Sequence, residues 1–429
     1  MDTTGGYVPH IKDFKDLIEK IEKQKQPHVS AISVQHGLER QNTGRLQTAW
    51  VELPGRCNLA CSYCYAKGGE KLNEEELLDW VDYEALLYQL KEMGVDSVGI
   101  PGAGEPFLKQ NRELTMKFLN KCAELGLYVT VFSTAEFIDE ELADELYELP
   151  VEIMVKCNSL NPETQDRFVS DPERNRIIHG FGQKRNEAIH RLMRKGFNDE
   201  QKCLEKFGRK SRMALVTSIM TSEDGDLSNL GDMNEIQAFC RENNIILDVD
   251  SVLKRGRGAT CNLHTGDKEL RDKLIELQTI DREKYGVEWG LSQSYIGTVC
   301  DRHMHHMYFD QYGKIYPCIG CLETIILGDI RDENAVENAW ESEAMRIIRN
   351  REYSGKCSEC GNFQRGECNS CLGRRIVEGQ SKESIEAAGS IEMKGCWNFD
   401  DASKDMSKKE PKAETETSLV DINRETKFK

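Results

Sequence analysis

The chain predicts an α/β protein built on parallel strands, with a smaller cysteine-rich segment behind it. Two observations carry this. Between residues 47 and 258, short apolar runs take turns with helical stretches, the order that threads parallel strands through crossover helices. From Cys300 to Cys396 the cysteines come in pairs among glycines and turn residues, a composition held together by metal ligation rather than by a large apolar core.

The elements follow in order. Residues 1–46 are polar and carry one amphipathic pattern near Asp13–Lys25. Gln47–Leu53 is the first strand and runs into a cysteine loop. Asp96–Ile100 reads as the second strand, Asn111–Leu125 as a helix and Tyr128–Phe132 as the third strand. Glu140–Tyr147 is helical, Val151–Val155 is the fourth strand, and Arg212–Met220 and Ile245–Val252 are the fifth and sixth. Residues 163–211 form a basic, helix-rich insertion, expected to present a solvated face rather than an acidic-substrate site. Residues 259–299 bridge to the cysteine-rich domain at 300–400. Residues 401–429 are charged, nearly free of large apolar side chains and expected to be disordered.

Composition narrows the function. A formal net charge of −17, from 57 basic and 74 acidic residues, opposes nonspecific attachment to nucleic acid or anionic lipid. No signal peptide is visible, and no apolar run approaches the roughly 18–20 residues of a membrane span. The reading is cytoplasmic. There, most of the 16 cysteines are expected as metal ligands or core residues rather than as disulfides.

Three of them carry the chemistry. In Cys57-Asn-Leu-Ala-Cys61-Ser-Tyr-Cys64, three soft thiolates share one short loop after a strand. Such a trio can hold three irons of a 4Fe-4S cubane and leave the fourth open for a ligand. A structural zinc loop is the competing reading, but no fourth ligand sits nearby. With Tyr63 before the last cysteine, the motif resembles the radical S-adenosylmethionine (SAM) superfamily. That resemblance implies a partial (β/α)6 TIM-like barrel over about residues 47–258. It also implies SAM chelated at the open iron, and a 5′-deoxyadenosyl radical that takes hydrogen from a C–H bond. Gly102-Ala103-Gly104-Glu105-Pro106 resembles the family's Gly-Gly-Glu-Pro stretch, with Ala103 replacing a glycine. There a backbone carbonyl and Glu105 would receive the methionine ammonium. Ser133-Thr134-Ala135 stands where the family often has Thr-Asn-Gly. Lys156 and Asn158, after the fourth strand, would reach the SAM ribose or carboxylate, and Leu253 would pack on adenine.

The later cysteines resemble the SPASM extension of radical SAM enzymes. Cys300, twelve residues, Gly313, four residues and Cys318 meet its first element in full. In Cys357-x2-Cys360-x7-Cys368-x2-Cys371 the spacers differ from the usual two, five and three. By order, Cys300, Cys318 and Cys371 would bind a first auxiliary cluster, with Cys321 as a plausible fourth ligand. Cys357, Cys360, Cys368 and Cys396 would bind a second. Two Cys-x2-Cys pairs also suit a zinc ribbon. Where some sulfatase-maturing members carry an acid, this chain has Ile319. Cys122, Cys157, Cys203, Cys240 and Cys261 are expected as small core residues, and His303, His305 and His306 as surface histidines. Lys254-Arg-Gly-Arg257 is open to two readings, an anion contact or a basic loop.

The expected function is modification of a peptide or protein side chain, with flavodoxin or ferredoxin as electron donor. The alternative is dehydrogenation or epimerisation of a sugar, aminocyclitol or other small molecule. Residues 1–46 look short for the leader-binding winged helix of many peptide-modifying relatives, which keeps the alternative close.

Overall fold

The computed structural model describes residues 44–169, 178–287 and 302–396. The Asp13–Lys25 pattern, Cys300 and the 401–429 tail lie outside them. Six strands alternate with helices in the expected order. They are β1 (Thr48–Val51), β2 (Ser97–Ile100), β3 (Tyr128–Ser133), β4 (Val151–Lys156), β5 (Met213–Ile219) and β6 (Ile246–Ser251). Between them run α1 (Trp80–Glu92), α2 (Lys109–Glu124), α3 (Glu140–Glu148), α4 (Pro162–Phe168), α5 (Phe181–Lys195), α6 (Glu200–Phe207) and α7 (Met233–Glu242). Helix α8 (Asp267–Ile280) follows β6.

All neighbouring pairs from β1 to β6 are parallel. Their strands are buried almost throughout, as parallel strands covered on both faces must be. One strand was not expected. β7 (His306–Phe309) lies parallel to β1, Thr48 opposite His306, and extends the sheet on that side. β8 (Lys314–Tyr316) and β9 (Gly328–Asp329) continue it antiparallel, so the cysteine-rich segment grows directly out of the barrel sheet.

The 163–211 stretch supplies α5 and α6 within the crossover from β4 to β5. On the exposed side of α5 and α6 its cations pair with acids. Arg191, Arg194 and Lys195 all reach Glu140, Lys184 reaches Glu136, and Lys206 reaches Glu148. Arg185 and Arg209 depart from the expected solvated face: both are fully buried, Arg185 donating to Lys156 O and Ser159 O and Arg209 lying over the Tyr128 ring. The three histidines differ from expectation. His303, His305 and His306 are all buried, and Thr48 Oγ1 lies within 3.1 Å of both His305 Nδ1 and His306 Nδ1. The strand they enter closes over them.

Among the described residues no helix is long and apolar enough to cross a membrane.

Candidate cofactor-binding site

The carboxyl ends of β1 to β6 surround a cavity of about 250 Å³. Cys57, Cys61, Cys64 and Tyr63 line one side, from the loop after β1. Gly102, Ala103, Gly104 and Glu105 come from the loop after β2, and Ser133 and Thr134 from the end of β3. Lys156, Leu253 and Arg257 complete the set from β4 and the segment after β6. Residues more than 190 positions apart in sequence therefore face one space, at the strand ends where such folds place ligands.

Backbone packing joins the first two loops. Glu105 N–H donates to Arg56 O at 3.0 Å. A side chain at Gly104 would put its Cβ 2.3 Å from that same oxygen, so only glycine allows the approach. Glu105 itself is sealed. One carboxylate oxygen accepts from Ser133 Oγ at 2.7 Å and Phe107 N at 3.1 Å. The other accepts from Thr134 N at 2.7 Å and Thr134 Oγ1 at 2.8 Å. Burial raises its pKa, while these four donors oppose the rise. Glu105 thus ties the β2 loop to the end of β3. Ala135 holds φ +62°, a left-handed conformation that glycine adopts freely, which accounts for a glycine in Thr-Asn-Gly turns at this position.

Asn158 sits behind the cavity wall rather than in it. Its Nδ2 donates to Tyr63 OH at 2.9 Å and its Oδ1 accepts from Ser218 N at 3.1 Å. Lys156 reaches the cavity, donates to Ser218 Oγ at 2.7 Å and lies 5.6 Å from the Tyr63 ring centre. Burial lowers its pKa, and Asp250 and Asp248 counter that. These two aspartates were not anticipated, although the signal exists. Positions 248 and 250 alternate on β6, so they share a face, and two acids on one face of a buried strand need a reason. Burial, then Asp250, pushes Asp248 up to about 6.

Burial also pushes up the thiols of Cys57 and Cys61, Cys61 to about 12, with the neighbouring thiols adding to it. Metal ligation is what would reverse this, because a coordinating thiol is deprotonated outright. Among the described residues no three His, Cys, Asp or Glu gather tightly enough to hold a single ion, as a mononuclear zinc site would require. The donor set, three soft thiols lining one cavity, suits an iron–sulfur cluster.

The auxiliary cysteines fall into two groups. Cys318 Sγ lies 3.7 Å from Cys321 Sγ, and Cys371 is near enough to act on Cys321 electrostatically. Cys318 and Cys371 line a second cavity of about 60 Å³, which shares Asp250, Leu253, Arg302 and Ile319 with the first. The thiols of Cys357, Cys360 and Cys396 act on Cys368, which burial pushes up to about 11. Cys122, Cys157, Cys203 and Cys240 are buried and Cys261 half-buried, apart from both groups.

The Radical SAM superfamily model matches residues 51–212, and the iron–sulfur cluster-binding SPASM domain model matches residues 300–361. This chain belongs to the radical SAM superfamily. SuiB of Streptococcus suis, solved bound to its precursor peptide SuiA, superposes on this radical SAM protein with a TM-score of 0.54. The identity is 15%, over 85% of this chain and 78% of that one. The protein anSMEcpe, solved with AdoMet and a peptide, gives a TM-score of 0.55 at 13% identity, over 82% and 94% of the two chains. These identities speak for a shared fold. A GTP 3′,8-cyclase of Peptoclostridium acidaminophilum is 23% identical over 164 residues, 37% of this chain and 50% of that relative. The match thus spans half the length of the curated relative. SAM and iron–sulfur clusters are the cofactors of this family.

Proposed function

We propose that this protein binds a four-iron cluster at Cys57, Cys61 and Cys64 together with SAM, and takes a hydrogen atom from a C–H bond of a peptide or protein side chain. When bound and reduced, such a cluster splits the sulfonium of SAM to methionine and a 5′-deoxyadenosyl radical.

The observation that carries the reading is one cavity shared by the cysteine loop, the Glu105 turn and the edge of the auxiliary cysteines. Each residue has a part. Glu105, its carboxylate fixed by four donors, ties the glycine turn to the end of β3, while its backbone N–H holds the turn against Arg56 at the start of the cysteine loop. Trp50, Phe132, Met154, Leu253 and Ile319 present apolar surface that excludes water from a reactive intermediate. Lys156, Asp248 and Asp250 supply the charges at the wall that would meet polar groups of SAM or substrate. Ile319 and Leu253 stand between the two cavities, so a substrate in the first lies close to whatever Cys318 and Cys371 hold.

Peptide as substrate class is supported by the fold shared with SuiB and anSMEcpe, both solved with peptides. A small-molecule substrate is the second reading, supported by the curated relatives named as GTP 3′,8-cyclases.

The test uses anaerobically reconstituted protein, dithionite and SAM. Formation of 5′-deoxyadenosine and methionine is expected, and loss of both when Cys57, Cys61 and Cys64 are replaced by alanine. No 5′-deoxyadenosine from protein that holds its iron would reject the enzyme reading. Peptide pools and nucleotide or sugar pools, screened for loss of two hydrogens, then separate the substrate classes.

A further inference from the structure

In the Lys254-Arg-Gly-Arg257 run, the Arg257 side chain is engaged by the chain itself. Its guanidinium grips the N-terminal cysteine loop at three places. Nε donates to Cys61 O at 2.9 Å, Nη2 to Gly68 O at 2.7 Å, and Nη1 to the Glu70 carboxylate at 3.0 Å. The first two bracket Cys64. The side chain is only 20% exposed and lines the cavity onto which the three cysteines open.

The segment around it is built to the same loop. Gly258 N–H donates to Cys64 O at 3.2 Å. A Cβ on Gly256 would stand 2.2 Å from Tyr65 O. The loop has little support of its own. It contains no helix or strand from Cys57 to Gly69, and its internal backbone bonds are few. A planar fork that satisfies two carbonyls at once is what fixes such a loop, and lysine cannot copy it.

We propose that Arg257 is the positioning residue of the cluster loop. It holds the loop in a cluster-accepting shape, and its fixed charge makes the cluster bound there easier to reduce. This rests on the proposed function. The charge argument is direct. Three thiolates concentrate negative charge, reduction adds one electron more, and a mostly buried cation bonded to the Cys61 carbonyl lowers the penalty. Glu70, half exposed on the far side of the guanidinium, offsets part of that effect.

The experiment is an EPR-monitored redox titration of the anaerobically reconstituted full chain. The signal followed is the one that changes shape when SAM is added, because that isolates the N-terminal cluster from the auxiliary ones. Arg257→Gln is expected to lower the reduced-to-oxidised ratio at fixed potential about tenfold, a shift of about 59 mV for one electron. Arg257→Lys should restore the potential to within about a factor of two in that ratio, yet lose part of the signal on desalting, since charge returns without the fork. Glu70→Gln should move the potential upward. If Arg257→Gln fails to retain a cluster, the Lys and Glu70 variants still decide. Wild-type potential and wild-type retention in both would overturn the assignment. A wild type with iron but no SAM-responsive signal would overturn the proposed function, and this inference with it.

Discussion

Glu52 stands just past β1 with its carboxyl sealed from water. It accepts from Tyr308 OH and from Gln311 N, and Tyr308 OH in turn lies 3.3 Å from Tyr65 OH beside Cys64. Burial outweighs these donors and, with Asp310 adding, lifts Glu52 from 4.5 to about 7. Between those values the folded chain keeps a proton that the unfolded chain has released. Stability from this group is therefore full below pH 4.5, falls as pH climbs to about 7, and is level above. The span is worth about 3 kcal/mol. Glu52→Gln cannot titrate, so urea unfolding of wild type and variant should diverge with pH. The wild type should lose about 3 kcal/mol relative to the variant between pH 4.5 and 8. A pH-independent difference would show Glu52 ionised in the fold. At this scale the sequence is uneven. Cys57, Cys61 and Cys64 are legible because their spacing is local and few metals suit it. The parts played by Asp248 and Arg257 are not, although both stand out in the sequence, because what they do depends on partners that only folding brings near.

Elements show the same division. The six barrel strands are readable to within two or three residues, since burial on both faces makes most of each apolar, and single polar breaks such as Glu152 on β4 and Asp248 and Asp250 on β6 do not hide them. β7 escapes because it begins with a histidine and follows directly on a polar stretch. Its place depends on pairing with β1, across more than 250 residues. Helix α3 shows how a distant residue completes an element. Its last carbonyls are short of helical partners, and Arg212, just before β5, supplies further donors. Nη2 donates to Leu146 O at 3.1 Å and Leu149 O at 2.7 Å, Nη1 to Tyr147 O at 2.9 Å, and Nε to Val151 O at 2.9 Å. Arg212 is fully buried, and among the described residues no carboxylate pairs with it. Its charge is held by these dipoles and by the Phe207 ring, 4.0 Å away. Arg212→Met would take a donor from four carbonyls, of which Leu146 O and Leu149 O keep a backbone donor, and Arg212→Lys would lack the reach to serve them all. Both variants should lose roughly 2–4 kcal/mol in thermal or urea unfolding. A loss under about 0.5 kcal/mol in both would mean that water replaces the guanidinium.

For the whole molecule, the question is how the cysteine-rich segment is held against the barrel. Arg255 Nε donates to Gly320 O at 3.0 Å, and Arg374, three residues past Cys371, donates to Asp250, to Ser251 O and to Val252 O. Between these contacts Gly320 and Gly373 touch backbone to backbone, so that a Cβ on Gly373 would lie 2.4 Å from Gly320 Cα. Gly373 is in a short helix, Leu372–Arg375. Propensity alone would make Gly373→Ala favourable by up to about 1 kcal/mol. The clash opposes it, and because the struck atom is backbone, no rotamer change relieves it. The clash should win, parting the Cys318 loop from the Cys371 loop. Ligand geometry couples to folding in such segments, so Gly373→Ala should retain roughly one cluster's iron less than wild type after reconstitution and desalting. Gly366→Ala is the matched control, because a Cβ there meets nothing within 4 Å, although its φ of +75° carries its own strain. Equal iron in Gly373→Ala and wild type, with equal melting temperatures, would show that the auxiliary segment assembles without docking on the barrel.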